Sequence, residues 1–296
     1  MGYGYIGLTG LEKPESFIRD AEHPIVRLAL DLQTREACER TGLAFIQGSR
    51  LFVSLTRKQA DVEFMVWSPE LSARSSFVNE MILRQKREVG TPCYAVSRDV
   101  FRGICYDVGR RDYVAAIFRQ RWRSLSDVVA AGEGRWVALA GDEDAHAVGT
   151  VLRTMDAVGA HGLILLTESI DVHDPCCLEA SMGAVFSQKL ARCAWDAFFE
   201  WKRDSRMVVV GLETTQCSST HFQAACYARH MVFLINHTDL PLPPLLQAMC
   251  NKTVHIPVCP QLHFNRGPDT ATAVALLLYE ASRERRRPGQ TEITSE

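Results

Sequence analysis

Along the second half of the chain, apolar residues come in short, nearly unbroken runs: "RWVALAG", "GLILLT", "MVVVGL", "MVFLIN" and "TVHIPV". Such runs read as strands buried on both faces, which requires a parallel sheet covered by helices. Segments with helical spacing separate them, at 146–158, 188–202, 221–228 and 244–250, and "DTATAVALLLYEASRERRR" reads as a closing helix. The first half is more mixed. Residues 23–42 have helical spacing and stop at Gly42; "LAFIQG", "VEFMVWS", "PCYAVS" and "DYVAAIFRQR" read as strands. "SRLFVSLTRKQ", "SSFVNEMILRQKREVG" and "RDVFRGICY" read as helices. The prediction is a small α/β domain over 1–125 and a larger α/β domain over 126–296. The boundary falls in the polar, glycine-bearing stretch "QRWRSLSDVVAAGEGRW".

The stretch "AVGTVLRTMDAVGAHGLILL" tests whether the larger domain binds a dinucleotide. Gly141 and Gly149 follow a strand, but they stand eight residues apart and make no GxGxxG turn. Val148, Val151, Leu152, Met155 and Val158 follow helical spacing, and Gly159 suits a C-terminal cap. Spacing alone therefore makes Arg153 a mid-helix side chain reaching for solvent.

Composition narrows the picture a little. The net charge of −2 conceals 19 Lys/Arg against 15 Asp/Glu in residues 1–125, and 14 against 20 in the remainder. A basic front half is compatible with a polyanionic partner such as RNA, and equally with an ordinary solvated surface. No run is long enough to span a membrane, and the start lacks the basic end and apolar core of a signal peptide. The expectation is a cytoplasmic protein. Ile6 stands where a myristoylation signal needs Ser or Thr. The ten cysteines are scattered without a CxxC, as expected of reduced, buried thiols. His255, Cys259 and His263 recur every fourth residue, but Pro257 and Pro260 rule out a helix that would align them, so no metal site is expected.

Several motifs resemble one family: the SpoU (TrmH-like) RNA ribose 2′-O-methyltransferases of the SPOUT class. Gly149, Arg153, Thr154, Ala157, Gly159 and Gly162 match its Asn-x-Gly-x-x-x-Arg-(Thr or Ser) motif and the run that follows. Asp174, Pro175, Ala180, Ser181, Gly183, Ala184 and Phe186 match its Asp-Pro…Ala-Ser-x-Gly-(Ala or Ser)-x-Phe stretch. "TVHIPV" and "ATAVALLLYEA" resemble its "IPM" strand and closing helix, and residues 1–125 its small RNA-binding domain. Resistance-conferring ribosomal-RNA methyltransferases look most similar.

The resemblance implies a knotted parallel sheet, S-adenosylmethionine as cofactor, an rRNA or tRNA substrate and a homodimer formed through the knotted domain. It makes Arg153 a catalytic candidate; His237, where the pocket motif has drifted, is the second. Leu212, Ile235, Asn236, His237, Thr238, Ile256, Val258, Gly267, Pro268 and Asp269 become the cofactor candidates. Arg50, Arg110, Arg111, Arg119, Arg121 and Ser181 become the RNA candidates. A guanidinium at 153 suits a phosphodiester through bidentate bonds and favours a developing alkoxide.

The sequence departs from the family where the chemistry lies. Ala147 replaces the motif's Asn and Glu179 the Arg before Ala-Ser. "INHTDLP" stands for Gly-(Asn or Ser)-Glu-x-x-Gly, and Gly267-Pro268-Asp269 for Ser-Leu-Asn. Beside a methyltransferase, two alternatives stay open. One is a non-catalytic RNA-binding relative. The other is an enzyme repurposed for a small molecule in secondary metabolism, with His237 as its proton-transfer group.

Overall fold

The computed structural model describes residues 17–73, 75–105, 113–130, 134–205, 207–213, 220–222, 227–228, 230–236, 241–258 and 267–285. The chain forms two compact units that divide between Gln120 and Arg121.

The first unit contains α1 (Pro24–Asp31), α2 (Arg35–Thr41), β1 (Leu43–Gln47), α3 (Ser49–Arg57), β2 (Val62–Trp67), α4 (Pro69–Ser72) and α5 (Ser76–Arg84). A π-turn (Gln85–Val89), β3 (Cys93–Ala95), α6 (Arg98–Ile104) and β4 (Val114–Arg119) complete it. Its four strands lie in the order β1-β4-β2-β3, antiparallel except for β2 with β3. Ile25, Phe45, Phe64, Phe101 and Ile117 anchor the core between this sheet and α1 and α6. The single helix expected over 23–42 is two helices. Thr34 adopts an extended conformation and its hydroxyl accepts the Ala37 N–H, so the residue restarts a helix instead of continuing one.

The second unit contains β5 (Trp122–Arg123), α7 (Leu125–Ala130), β6 (Arg135–Leu139), α8 (Ala145–Val158), β7 (Gly162–Leu165), α9 (Pro175–Ala180) and β8 (Lys189–Arg192). There follow α10 (Trp195–Asp204), β9 (Val208–Leu212), β10 (Thr220–His221), β11 (Met231–Ile235), α11 (Pro244–Met249), β12 (Lys252–His255) and α12 (Thr270–Arg285). The eight strands run parallel in the order β10-β12-β9-β11-β6-β7-β8-β5. Every residue of β6, β7 and β11 is buried, as their apolar runs require.

Two expected helices are corrected. Residues 189–192 form β8, because pairing with β7 and β5 buries Leu190 and Ala191 and overrides their helical spacing; the helix begins only at Trp195. Thr220–His221 pairs with β12, and Tyr227–Ala228 is not helical; residues 223–226 lie outside the described residues.

Candidate functional site

In an open parallel sheet, ligands gather at the carboxyl ends of the strands, where the loops diverge. Four adjacent strands of this sheet, β12, β9, β11 and β6, end in register there. Leu212 pairs with Val254, Leu234 with Gly211 and Ile235 with Leu139. The ladder continues past the strand ends: Ala140 N–H donates to Ile235 O at 2.8 Å, and Glu213 N–H to Val254 O at 2.8 Å.

Several cofactor candidates converge on this edge. Leu212 and Ile235 are buried, and Ile256, Val258, Gly267 and Pro268 are half-buried. A Cβ added to Gly267 would stand 3.8 Å from Val258 Cγ1, so the chain returns to within contact of β12's extension before entering α12. The Asn236 amide donates to the Pro241 carbonyl at 3.4 Å, which brings these two residues together. His237 and Thr238 lie outside the described residues. Asp269 is engaged as the first turn's cap: its two carboxylate oxygens accept from the Thr272 N–H at 2.8 Å and the Thr272 hydroxyl at 3.0 Å.

Arg153 sits on α8, and the sequence explains its setting. Asp144 caps the helix by accepting the Ala147 N–H at 2.8 Å. Val148, Gly149, Val151, Leu152 and Met155 face the core. Gly159, in the left-handed region at φ 69°, ends the helix. Arg153 is left on the outer face, exposed, with no hydrogen bond or ion pair among the described residues. Gly149 allows α9 to pack directly on α8; a Cβ there would stand 2.5 Å from Cys177 O and 2.6 Å from Ala180 Cβ.

Ser181, an RNA candidate, is engaged within its own turn. It is 1% exposed; its hydroxyl donates to Leu178 O at 2.8 Å and accepts the Gly183 N–H at 3.3 Å. These bonds hold the turn at Met182, whose φ of 54° is unusual for a non-glycine residue.

Sequence reasoning passed over "GDED", the loop after β6. Its three carboxylates each bind a different element. Asp142 accepts from the Thr167 hydroxyl at 3.2 Å and from the Ser169 hydroxyl; Glu143 accepts from the Thr270 hydroxyl; Asp144 caps α8. The one available signal was Asp144, a capping residue three positions before an N–H that needs a partner.

Of the RNA candidates, Arg50 and Arg121 are exposed, and Arg110 and Arg111 lie outside the described residues. Arg119 forms ion pairs with Glu63 and, at 3.9 Å, with Asp61, so its charge is partly compensated.

A second polar cluster lies at the other end of the sheet. The Arg192 guanidinium stacks over the Trp122 ring at 4.6 Å, and Trp122 meets His173 edge-on at 5.8 Å. Burial, with Arg192 nearby, pushes the His173 pKa down to about 3. The Asp171 carboxylate at 3.9 Å therefore faces a neutral imidazole at neutral pH, and no ion pair forms. Among the described residues no group of three or more His, Cys, Asp or Glu is arranged to hold a metal ion, and no helix is long and apolar enough to cross a membrane.

Comparison with known proteins bears on residues 135–279, which match the model of the SpoU rRNA Methylase family. The chain is 30% identical over 145 residues to a 23S rRNA (uridine(2479)-2′-O)-methyltransferase of Streptomyces viridochromogenes. That match covers 47% of this chain and about half (48%) of the relative's length. The AdoMet-bound rRNA methyltransferase from Sinorhizobium meliloti superimposes with a TM-score of 0.77 at 25% identity, over 90% of this chain and 97% of that one. The SpoU methyltransferase AviRb from Streptomyces viridochromogenes, in complex with AdoMet, has the same fold, with a TM-score of 0.74 at 21% identity over 88% of this chain and 97% of that one.

Proposed function

We propose, from the premise that this chain belongs through residues 135–279 to the SpoU rRNA Methylase family, that it is an S-adenosylmethionine-dependent RNA 2′-O-methyltransferase. The observation that carries the reading is the family match over the parallel-sheet unit, with Arg153 exposed on α8 and, among the described residues, without an ion pair.

The cofactor fits the residues at the carboxyl edge in character. Leu212, Ile235, Ile256 and Val258 offer apolar surface for an adenine. Gly267 leaves backbone room beside Val258, and Asn236 follows β11 at the same edge; His237 and Thr238 stay candidates by resemblance alone. When bound, S-adenosylmethionine supplies an electrophilic methyl group. The protein's part is to hold the ribose hydroxyl and to stabilise negative charge on its oxygen. Arg153 is suited to both, since its guanidinium can clamp a phosphodiester and favour the alkoxide. His237 is the proton acceptor in this reading.

RNA is the partner class, contacted through Arg50, Arg110, Arg111 and Arg121 of the basic N-terminal half and the segment that follows it. The N-terminal unit is the RNA-binding domain of this reading. A homodimer through the parallel-sheet unit is supported by α12, where Leu276 (38% exposed) and Tyr279 (57%) flank a cavity of about 490 Å³ bordered by Phe222, Thr272 and Arg283. A cytoplasmic location accompanies an RNA substrate of this kind.

Titrating the purified protein with S-adenosylmethionine by calorimetry, then incubating it with rRNA and mapping 2′-O-methyl groups, tests the proposal. Binding and a mapped methyl group are expected. No heat at millimolar ligand, with no transfer to rRNA or tRNA, would overturn it.

The second reading is a diverged member that binds RNA, or a small molecule, without methyl transfer. Ala147 at the motif's Asn position and the engagement of Asp269 as a helix cap favour it. RNA binding that persists without any cofactor binding is its signature.

A further inference from the structure

We infer that Glu143 is a positioning residue that joins the substrate side of the site to its cofactor side, through a hydrogen bond from Thr270. The inference rests on the proposed reading of the site, and its structural half can be measured independently.

Thr270 is the first residue of α12 and is 3% exposed, yet it carries a hydroxyl. A buried hydroxyl without a partner is destabilising, so its placement demands an acceptor. Glu143 provides it: the hydroxyl donates to Glu143 Oε1 across 127 residues of sequence. On one side of this bond lies the loop after β6, fixed by its neighbours: Asp142 to Thr167 and Ser169, and Asp144 to the first turn of α8, the helix that carries Arg153. On the other side lies Gly267–Asp269, the segment against Val258 that forms one wall of the proposed cofactor site. That wall leads directly into Thr270. Among the described residues, Asp269 bonds within its own helix, through Thr272, and the Ala273 N–H donates to the Asp269 carbonyl at 2.8 Å. Asp269 therefore stiffens the start of α12 without fixing where it sits relative to α8. The Glu143–Thr270 bond adds a polar link, at the start of α12, to the packing of α12 on α8.

Where the family's motif has Asn, this chain has Ala147, whose side chain bonds nothing. The polar link to the start of α12 comes instead from Glu143 in the "GDED" loop. A carboxylate acceptor makes the bond charge-assisted, and one of its two oxygens is enough to accept it. Glutamine retains such an oxygen, so E143Q preserves the link, whereas E143A and T270V remove it from either side.

The test compares wild type, E143Q, E143A and T270V by hydrogen-exchange mass spectrometry and by calorimetric titration with S-adenosylmethionine. E143A and T270V are expected to speed exchange in peptides covering 267–275, with the β6 and β7 peptides unchanged, and E143Q to match wild type. Cofactor dissociation constants are expected to rise about tenfold in E143A and T270V and less than about threefold in E143Q. Exchange in 267–275 that is the same in all four proteins would overturn the link. Faster exchange with an unchanged dissociation constant would overturn its role in the site. If wild type itself binds no cofactor, the proposed function fails and, with it, the assignment of this link to a cofactor site, while the exchange result still decides whether the link exists.

Discussion

Gly149 lies directly against the backbone of Cys177: a Cβ at position 149 would stand 2.5 Å from the Cys177 carbonyl oxygen, 2.6 Å from Ala180 Cβ and 2.9 Å from the Ser181 nitrogen. Two of these obstacles are backbone atoms and cannot swing aside. Gly149→Ala is therefore expected to force α9 away from α8 and to cost about 1–3 kcal/mol, despite alanine's better helix propensity. Urea unfolding followed by circular dichroism measures it; a stability equal to or above wild type would show that the two helices separate freely.

That contact also marks what was legible in the sequence. The parallel sheet could be read because β6, β7 and β11 are buried on both faces and their apolar runs have no other explanation. α8 could be read because Asp144, the buried stripe and Gly159 agree. Residues 189–192 misled because Leu190 and Ala191 suit a helix, and only pairing with β7 and β5, far from them in sequence, decides for strand. At the site, Gly149 and Arg153 stood out by resemblance, but the reason for the glycine is Cys177, which no spacing reveals. Glu143 and Thr270 were invisible because their bond spans 127 residues. Asp269, weighed as a group near the cofactor, has its carboxylate occupied three residues away, although "DTAT" carries the signature of an N-cap.

Arg119 and Arg121 separate a compensated charge from an uncompensated one. Arg119 is paired with Glu63 and Asp61; Arg121 is exposed with no ion pair among the described residues. Each lysine or arginine that neutralises a phosphate contributes roughly one unit to the slope of log K against log salt. If the chain binds RNA as proposed, R121A is expected to lower that slope by about 1, and R119A by clearly less. Fluorescence anisotropy with a labelled rRNA fragment at several salt concentrations reads both. Equal slopes for R121A and wild type would remove Arg121 from the RNA surface.

His173 predicts a pH dependence of stability. Its folded pKa is depressed to about 3, against about 6.5 unfolded, so below pH 6.5 the unfolded chain binds a proton that the folded chain refuses. Stability is then complete above pH 6.5 and falls as the pH drops through the window from 6.5 to 3. Between pH 6.5 and 5 the loss from this residue is about 2 kcal/mol. H173Q is expected to be less stable at neutral pH, because the packing against Trp122 changes, but to lose this part of the slope. Chemical unfolding at pH 7, 6 and 5 for both proteins tests it; parallel slopes would mean that His173 is protonated as readily folded as unfolded.

Arg153 carries the strongest functional prediction. It is exposed, and among the described residues nothing bonds its guanidinium, so removing it should leave the fold intact. Its neighbours Leu152 and Met155 hold α8 in the core without it. If the guanidinium stabilises charge on the attacking ribose oxygen, R153A should lower kcat by about 10²–10³-fold while thermal stability stays within about 1 °C of wild type. R153K keeps the charge but loses the planar fork, so it is expected to recover only part of the rate and to bind RNA more weakly than wild type. S-adenosylmethionine affinity should be the same in all three proteins, which separates a substrate-side role from damage to the cofactor site. A variant with full activity would return Arg153 to what its spacing alone implied, a side chain in solvent. A variant that loses activity only together with its fold would place the residue in the structure and not in the chemistry.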